Sequence, residues 1–215
     1  MKGVLFDLDG TLLDTLELIS RSFHHAMIEV LGHDEAMDKF CAMLGQPLRE
    51  QMGEYARSDA ELEALLATYR AHNALIEREA IKIFAGIPEM LAELQERGWR
   101  LGVVTSKMHG TATSNLEVFG LMRYFECLVG ADDCPAHKPD PAPVSLGCAL
   151  LGLEPGACLY VGDSPFDMQA GNAAGCKTVA VHWGQFPIAR LRAEHPAYEA
   201  ATPADIVQIA QVAAN

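Results

Sequence analysis

Short, almost wholly apolar runs punctuate the chain at Gly3–Phe6, Leu101–Thr105, Cys127–Gly130, Leu159–Gly162 and Thr178–His182. They do not alternate apolar and polar positions, so they predict strands buried on both faces of a parallel sheet. Between the last four runs the pattern is helical, which predicts βαβ units and an α/β sheet. Pro88 reads as a first-turn proline and Gly98 as a C-terminal stop, bounding a helix over Glu89–Arg97. Another helix is expected over Phe166–Ala174, ending at Gly175.

The interval between the first two runs is far longer than a crossover helix needs. Within it Leu16, Ile19, Phe23, Met27 and Val30 recur at spacings of three to four, predicting one apolar helix face. Glu61–Glu79 predicts a second helix. The expected organisation is a core of residues 1–14 and 81–215 carrying a helical cap of residues 15–80. The links fall near Asp14 and near Phe84-Ala85-Gly86. A lid inserted there would exclude water and select substrates; a rigid insert would be only a helical ornament.

At 215 residues, half of them hydrophobic and 21% charged, the chain can bury the core of a globular enzyme. The net charge of −13, with no basic run, argues against nucleic acid and anionic membranes as partners. An anionic substrate must therefore be held by local charges. The six cysteines have no Cys-x-x-Cys spacing and are expected as buried free thiols in a reducing compartment. No apolar run is long enough to cross a membrane, and a strand at the very start leaves no room for an export signal. The cytoplasm is the expected location, and a monomer or weak homodimer the expected state.

The chemistry gathers at the ends of the apolar runs. Asp7-Leu8-Asp9-Gly10-Thr11 closes the first, and two carboxylates so close at a buried strand end repel each other unless something compensates them. Asp7 is the candidate nucleophile, able to attack phosphorus and form an aspartyl phosphate. Asp9 would protonate the leaving oxygen and then deprotonate the hydrolytic water, unless it merely caps the turn. Gly10 permits a tight turn and Thr11 would help hold the loop. Asp163 ends the fourth run as Asp7 ends the first, and a hard cation such as Mg²⁺ suits this oxygen set. For Asp167 three readings stay open: a ligand through water, a partner that orients Lys138, or a charge at a helix N-terminus.

Thr105 and Ser106 offer hydroxyls and backbone N–H groups at a strand-to-helix turn, which suits phosphate oxygens. Lys107 either touches substrate or is a solvated surface lysine. Lys138, fixed between prolines in His137-Lys138-Pro139-Asp140-Pro141, would neutralise a transferring phosphoryl group.

With these residues assembled, the chain resembles a haloacid dehalogenase superfamily phosphatase with a helical cap. FDLDGT (6–11), VTS (104–106), Lys138 within KPDP, and GDSPFD (162–167) match that family's four motifs in order. The resemblance implies a Rossmann-like, doubly wound parallel sheet with strand order 5-4-1-2-3, Mg²⁺ dependence and an aspartyl-phosphate intermediate. By the same carry-over Asp7 and Asp163 bind metal through side chains, and Asp9 through its backbone carbonyl. Asp9 argues against the dehalogenases and phosphonate hydrolases of the superfamily, and Thr11 with Ile19 against its hexose-phosphate mutases.

Within the superfamily the chain is most similar to phosphoglycolate phosphatases and related bacterial pyrophosphatases. VTSK (104–107), GADDC (130–134), KPDPAPV (138–144) and Trp183-Gly184 carry that likeness. Leu44-Gly45-Gln46-Pro47-Leu48 resembles a specificity loop. Arg49, just after it, would meet a substrate carboxylate or second phosphate, or else lie on the cap surface. Tyr69-Arg70 and His72-Asn73 lean toward the pyrophosphatase pattern, and His24 and His25 read as ordinary helix residues. The expected substrate is a small anionic phosphomonoester, phosphoglycolate-like, with inorganic pyrophosphate as the rival. A fold retained for binding or regulation without turnover is the alternative from another class.

Overall fold

The computed structural model describes residues 2–213; Met1, Ala214 and Asn215, which the expected core range includes, lie outside the described residues. In chain order the elements begin β1 (Gly3–Phe6), β2 (Leu13–Asp14), α1 (Leu16–Ala26), α2 (Asp38–Ala42), α3 (Leu48–Gly53) and α4 (Asp59–Ala80). They continue β3 (Lys82–Ile83), α5 (Ile87–Glu96), β4 (Arg100–Val104), α6 (His109–Val118), β5 (Cys127–Val129) and α7 (Ala142–Leu150). The chain closes with β6 (Cys158–Gly162), α8 (Pro165–Ala174), β7 (Lys177–Val181), α9 (Ile188–Arg192), β8 (Tyr198–Ala200) and α10 (Pro203–Ala213).

Six strands form one sheet in the order β5-β4-β1-β6-β7-β8, every neighbouring pair parallel. The five expected runs stand across it as fifth, fourth, first, second and third, the order the resemblance implies. Successive side chains of β1 point to opposite faces, and both faces are covered. Val4 and Phe6 join a cluster with α5, α6 and α10, while Leu5 joins Val144, Cys148, Tyr160 and Ala170 on the side of α7 and α8. This is an α/β, doubly wound sheet.

Three features differ from the sequence reading. The edge strand β8 was not expected, because Tyr-Glu-Ala is too short and too polar to read as an apolar run. An antiparallel ribbon of β2 with β3 pairs Leu13 with Ile83 and Asp14 with Lys82, tying together the two links to the insertion. On the insertion's first helix, Ile19, Phe23 and Met27 are buried as the pattern requires, but Leu16 is 41% exposed. A π-turn over Met27–Leu31 also shifts the helix register, which leaves Val30 half-buried.

Helices α1 to α4 enclose an apolar cluster of their own around Phe23, Phe40, Met52 and Leu65. That cluster continues into Met168, Phe186 and Leu191 outside the insertion. All six cysteines are free, three of them buried, with Cys148 and Cys176 sulfurs 3.6 Å apart. Among the described residues no helix is long and apolar enough to cross a membrane.

Candidate active site

The sheet topology brings the motif residues to one edge. Asp7 is the first residue past β1, and its N–H donates to Val161 O at 2.8 Å, extending the parallel ladder by one position. Thr105 does the same past β4, donating to Val129 O at 2.9 Å, and Asp163 follows β6 directly. The three therefore stand at the carboxyl ends of neighbouring central strands, where open α/β sheets place ligands.

Lys138 arrives from the loop before α7 and ends in a closed pocket of charge. Its Nζ lies 2.9 Å from Asp7 Oδ1 and 2.6 Å from Asp167 Oδ1, and all three side chains are buried. Asp167 is held from every side. Tyr160 Oη donates to its Oδ1 at 3.0 Å, and its Oδ2 accepts from Ser164 N and Oγ in a capping box at the start of α8. Of the three open readings, the geometry matches two at once: Asp167 holds Lys138, and it caps the first turn of α8. Burial disfavours the ammonium, but Asp167 and Asp7 outweigh it and hold the Lys138 pKa well above its usual value. Burial, partly offset by Lys138, pushes Asp7 up to about 7.

Asp163 shares the crevice with Asp7. Its Oδ2 accepts from Gln185 N at 2.8 Å, and burial, then Asp167 and Asp7, raise its pKa well above the carboxylate range. Gly10, at φ +79°, passes so close to Asp163 that a Cβ there would overlap its carboxylate. Asp7, Asp163 and Asp167 each offer an oxygen within 4.8 Å of the others. Asp167 is already saturated by donors. Asp7 Oδ2 and Asp163 Oδ1, by contrast, have no hydrogen-bond partner among the described residues. Two buried, mutually repelling carboxylates with free hard oxygens fit a small divalent cation.

The remaining expected site residues divide in a way spacing does not reveal. Asp9, Thr105, Ser106, Lys107 and Arg49 all line a cavity of about 560 Å³ between the sheet edge and the insertion. Thr105 is buried, and its Oγ1 accepts from Lys107 N at 3.2 Å. Ser106 Oγ donates to Gly45 O of the insertion at 2.5 Å, so its hydroxyl meets the Leu44–Leu48 loop. Gly45 itself, at φ +98°, packs where a Cβ would stand 2.8 Å from Ser164 Oγ. Lys107 Nζ lies 2.7 Å from Asp9 Oδ1. Thr11 holds the loop through its carbonyl, which accepts from Trp183 Nε1 at 3.0 Å, while its buried hydroxyl has no partner among the described residues. Arg49 is ion-paired to Glu63 at 2.7 Å, with both side chains more than half exposed.

Residues outside the four motifs also belong to the site. Tyr160 was legible only as an odd aromatic in an aliphatic strand. Gln185 carries no signal, because it acts through its backbone N–H. Arg70 lines the cavity and makes no ion pair among the described residues, and Tyr69 and Asn73 line it beside Arg70. His24 pairs with Asp34 at the surface and His25 stacks on His72, both away from the cavity.

A parallel α/β sheet whose carboxyl edge gathers a compensated carboxylate, a buried lysine and a second acidic strand end defines a carboxylate-centred hydrolase. The sequence pattern of haloacid dehalogenase-like hydrolases matches residues 4–181, and the chain belongs to that family. It is 34% identical over 211 residues to the pyrophosphatase PpaX of Bacillus velezensis, covering 98% of this chain and 96% of that one. The PpaX pyrophosphatase of Halalkalibacterium halodurans is also 34% identical, over 99% of this chain and 98% of the relative. Among solved structures, a Haemophilus somnus protein described as a predicted phosphoglycolate phosphatase superposes with a TM-score of 0.86 at 27% identity, covering 97% of both chains.

Proposed function

We propose that the protein is a Mg²⁺-dependent phosphatase of small anionic phosphate compounds, working through a phosphorylated Asp7. The observation that carries this reading is the Asp7–Lys138–Asp167 arrangement beside Asp163, at the foot of a cavity roofed by the insertion. Asp7 and Asp163 would hold the cation, with the Asp9 carbonyl as a third protein ligand by family likeness. The cation, when bound, offsets the negative charge of the carboxylates and of the incoming phosphate.

In this reading the Asp7 carboxylate attacks phosphorus, and Lys138, donating to its Oδ1, holds the carboxylate in place and fixes the attack direction. The phosphorus–oxygen bond to the leaving group breaks, and Asp9 delivers the proton that oxygen needs. Asp9 then takes a proton from water, whose oxygen attacks the phosphoryl group and releases Asp7 and phosphate. Thr105 and Ser106, with the backbone N–H groups of their turn, line the space for the phosphoryl oxygens. The insertion, residues 15–80, acts as the cap: it closes the cavity and selects the leaving group. Six free cysteines suit a reducing compartment, and we place the enzyme in the cytoplasm.

The leading substrate class is a phosphomonoester with a second anionic group, phosphoglycolate-like. Pyrophosphate is the second reading, favoured by the near-full-length likeness to proteins named pyrophosphatases. Initial rates of phosphate release from phosphoglycolate, pyrophosphate and a set of sugar phosphates, with Mg²⁺, test both. A clear preference for pyrophosphate selects the second reading. No release from any of them returns the fold to a binding or regulatory role.

A further inference from the structure

An unbroken chain of hydrogen bonds leads from the Asp9 carboxylate to the insertion. Lys107 Nζ donates to Asp9 Oδ1 at 2.7 Å and to Asn115 Oδ1 at 2.9 Å. Asn115, buried on α6, donates through Nδ2 to Glu77 Oε2 at 3.0 Å. Glu77 lies in the last turn of α4, just before the β2–β3 ribbon. The Asn115 amide orientation follows from its partners: the ammonium only donates and the carboxylate only accepts.

Two of the three ammonium donors of Lys107 are thus committed inside the protein, and its side chain is only 13% exposed. Among the described residues Asp9 has no other side-chain partner. Its carboxylate follows a turn, is partly exposed, and without Lys107 would be free to choose among rotamers. Proton transfer demands placement within hydrogen-bond reach, and a displacement of about 1 Å costs on the order of 100-fold in rate. A lysine that fixed only the substrate would not need an amide and a second helix behind it.

We infer that Lys107 is a positioning residue that sets the Asp9 carboxylate, and that Asn115 and Glu77 make this setting depend on the seating of α4. The inference rests on the proton-transfer role proposed for Asp9. It replaces substrate binding as the principal task of Lys107.

Steady-state kinetics with Mg²⁺, on whichever of phosphoglycolate and pyrophosphate the wild type hydrolyses, separates the two tasks. Lys107→Met should lower kcat by about 10- to 100-fold with KM within about twofold, and Lys107→Arg should recover part of the loss. Glu77→Ala should lower kcat by about threefold, again without raising KM. A Lys107→Met enzyme with retained kcat and a KM raised tenfold would overturn the inference. A Glu77→Ala enzyme with unchanged kcat would remove its link to the insertion. The ¹³Cγ resonance of Asp9 reads the same chain without turnover, so it judges the inference even if the wild type hydrolyses none of these compounds. The resonance should move in both Lys107→Met and Glu77→Ala, and a resonance that stands still in both overturns the proposal. Melting temperatures near the wild-type value establish that each variant is folded.

Discussion

Asp167 Oδ1 lies 2.6 Å from Lys138 Nζ, and neither side chain is exposed beyond 2%. A pair so deeply buried is sustained by the hydrogen bonds around it: Tyr160 and Ser164 satisfy Asp167, and Asp7 takes the other side of the ammonium. Lys138 is absent from the cavity lining; it stands behind Asp7. Its first effect is therefore on the carboxylates.

Lys138→Met should accordingly damage the fold as well as the reaction. It leaves Asp7, Asp163 and Asp167 buried together with no cation in contact. Removing one partner from a buried ion pair costs about 3–5 kcal/mol, and urea unfolding should register a loss of that size. Turnover should fall on the order of 100-fold or more, as for loss of a preorganised charge. Added Mg²⁺ should restore part of the stability, since it supplies the missing positive charge. A variant as stable as the wild type would mean that the carboxylates are protonated or solvated in solution.

Asp7→Asn makes the opposite stability prediction. The amide keeps the shape and ends the repulsion from Asp163 and Asp167, so the metal-free variant should melt no lower than the wild type at neutral pH. Turnover should nevertheless disappear, because an amide oxygen is a poor nucleophile. Rates near wild type would assign the attack to water. Asp9→Asn should be severe too, yet with p-nitrophenyl phosphate, whose leaving group needs no proton, it should still label Asp7. Rapid-quench trapping of the phosphorylated protein checks both.

Much of this architecture was legible in the sequence because it obeys local rules. Continuous apolar runs this short fit strands covered on both faces, and Asp7 and Asp163 declare themselves by following such runs. Other features depend on partners distant along the chain. Lys107 reads as a substrate cation or a solvated surface lysine until Asn115 of α6, itself held by Glu77 of α4, is seen to accept from it. Ser106 reads as a phosphate ligand, and its type gives no hint that the hydroxyl also meets Gly45 of the insertion. Tyr160 and Gln185 act through a single oxygen and a backbone N–H, and residue type announces neither. The edge strand β8 is held by its neighbour β7 more than by its own composition.

Proton and metal should compete at Asp7 and Asp163. Burial raises Asp7 from its ordinary 3.8 to about 7, and raises Asp163 as well. A carboxylate whose folded pKa is raised binds its proton more tightly in the folded state. Its contribution to stability is full below the unfolded pKa and is lost as pH rises through the folded one. In the metal-free protein Asp7 should therefore weaken the fold between about pH 4 and pH 7, and the raised pKa of Asp163 acts in the same direction. Mg²⁺ needs the deprotonated oxygens, so its apparent affinity should rise over the same interval and its binding near neutrality should release protons. Melting temperatures with Mg²⁺ and with EDTA, compared at pH 5.5 and pH 8, measure this. A Mg²⁺ increment as large at pH 5.5 as at pH 8 would contradict it.

The cavity's two arginines separate the substrate readings. Arg49 is engaged with Glu63, an exposed pair worth no more than about 1 kcal/mol, while Arg70 has no ion-pair partner among the described residues. A second anionic group on the substrate should therefore be met first by Arg70. Arg70→Ala should raise KM about tenfold for phosphoglycolate or pyrophosphate, the equivalent of one lost charge contact. For p-nitrophenyl phosphate, which has no second anion, KM should stay within about twofold. Arg49→Ala should change neither KM by more than about twofold, since breaking its bond to Glu63 offsets what the substrate would gain. The reverse result, with Arg49→Ala costly and Arg70→Ala silent, would mean that Glu63 surrenders its partner when substrate enters. Substrate recognition would then run through the Leu44–Leu48 loop and the start of α3.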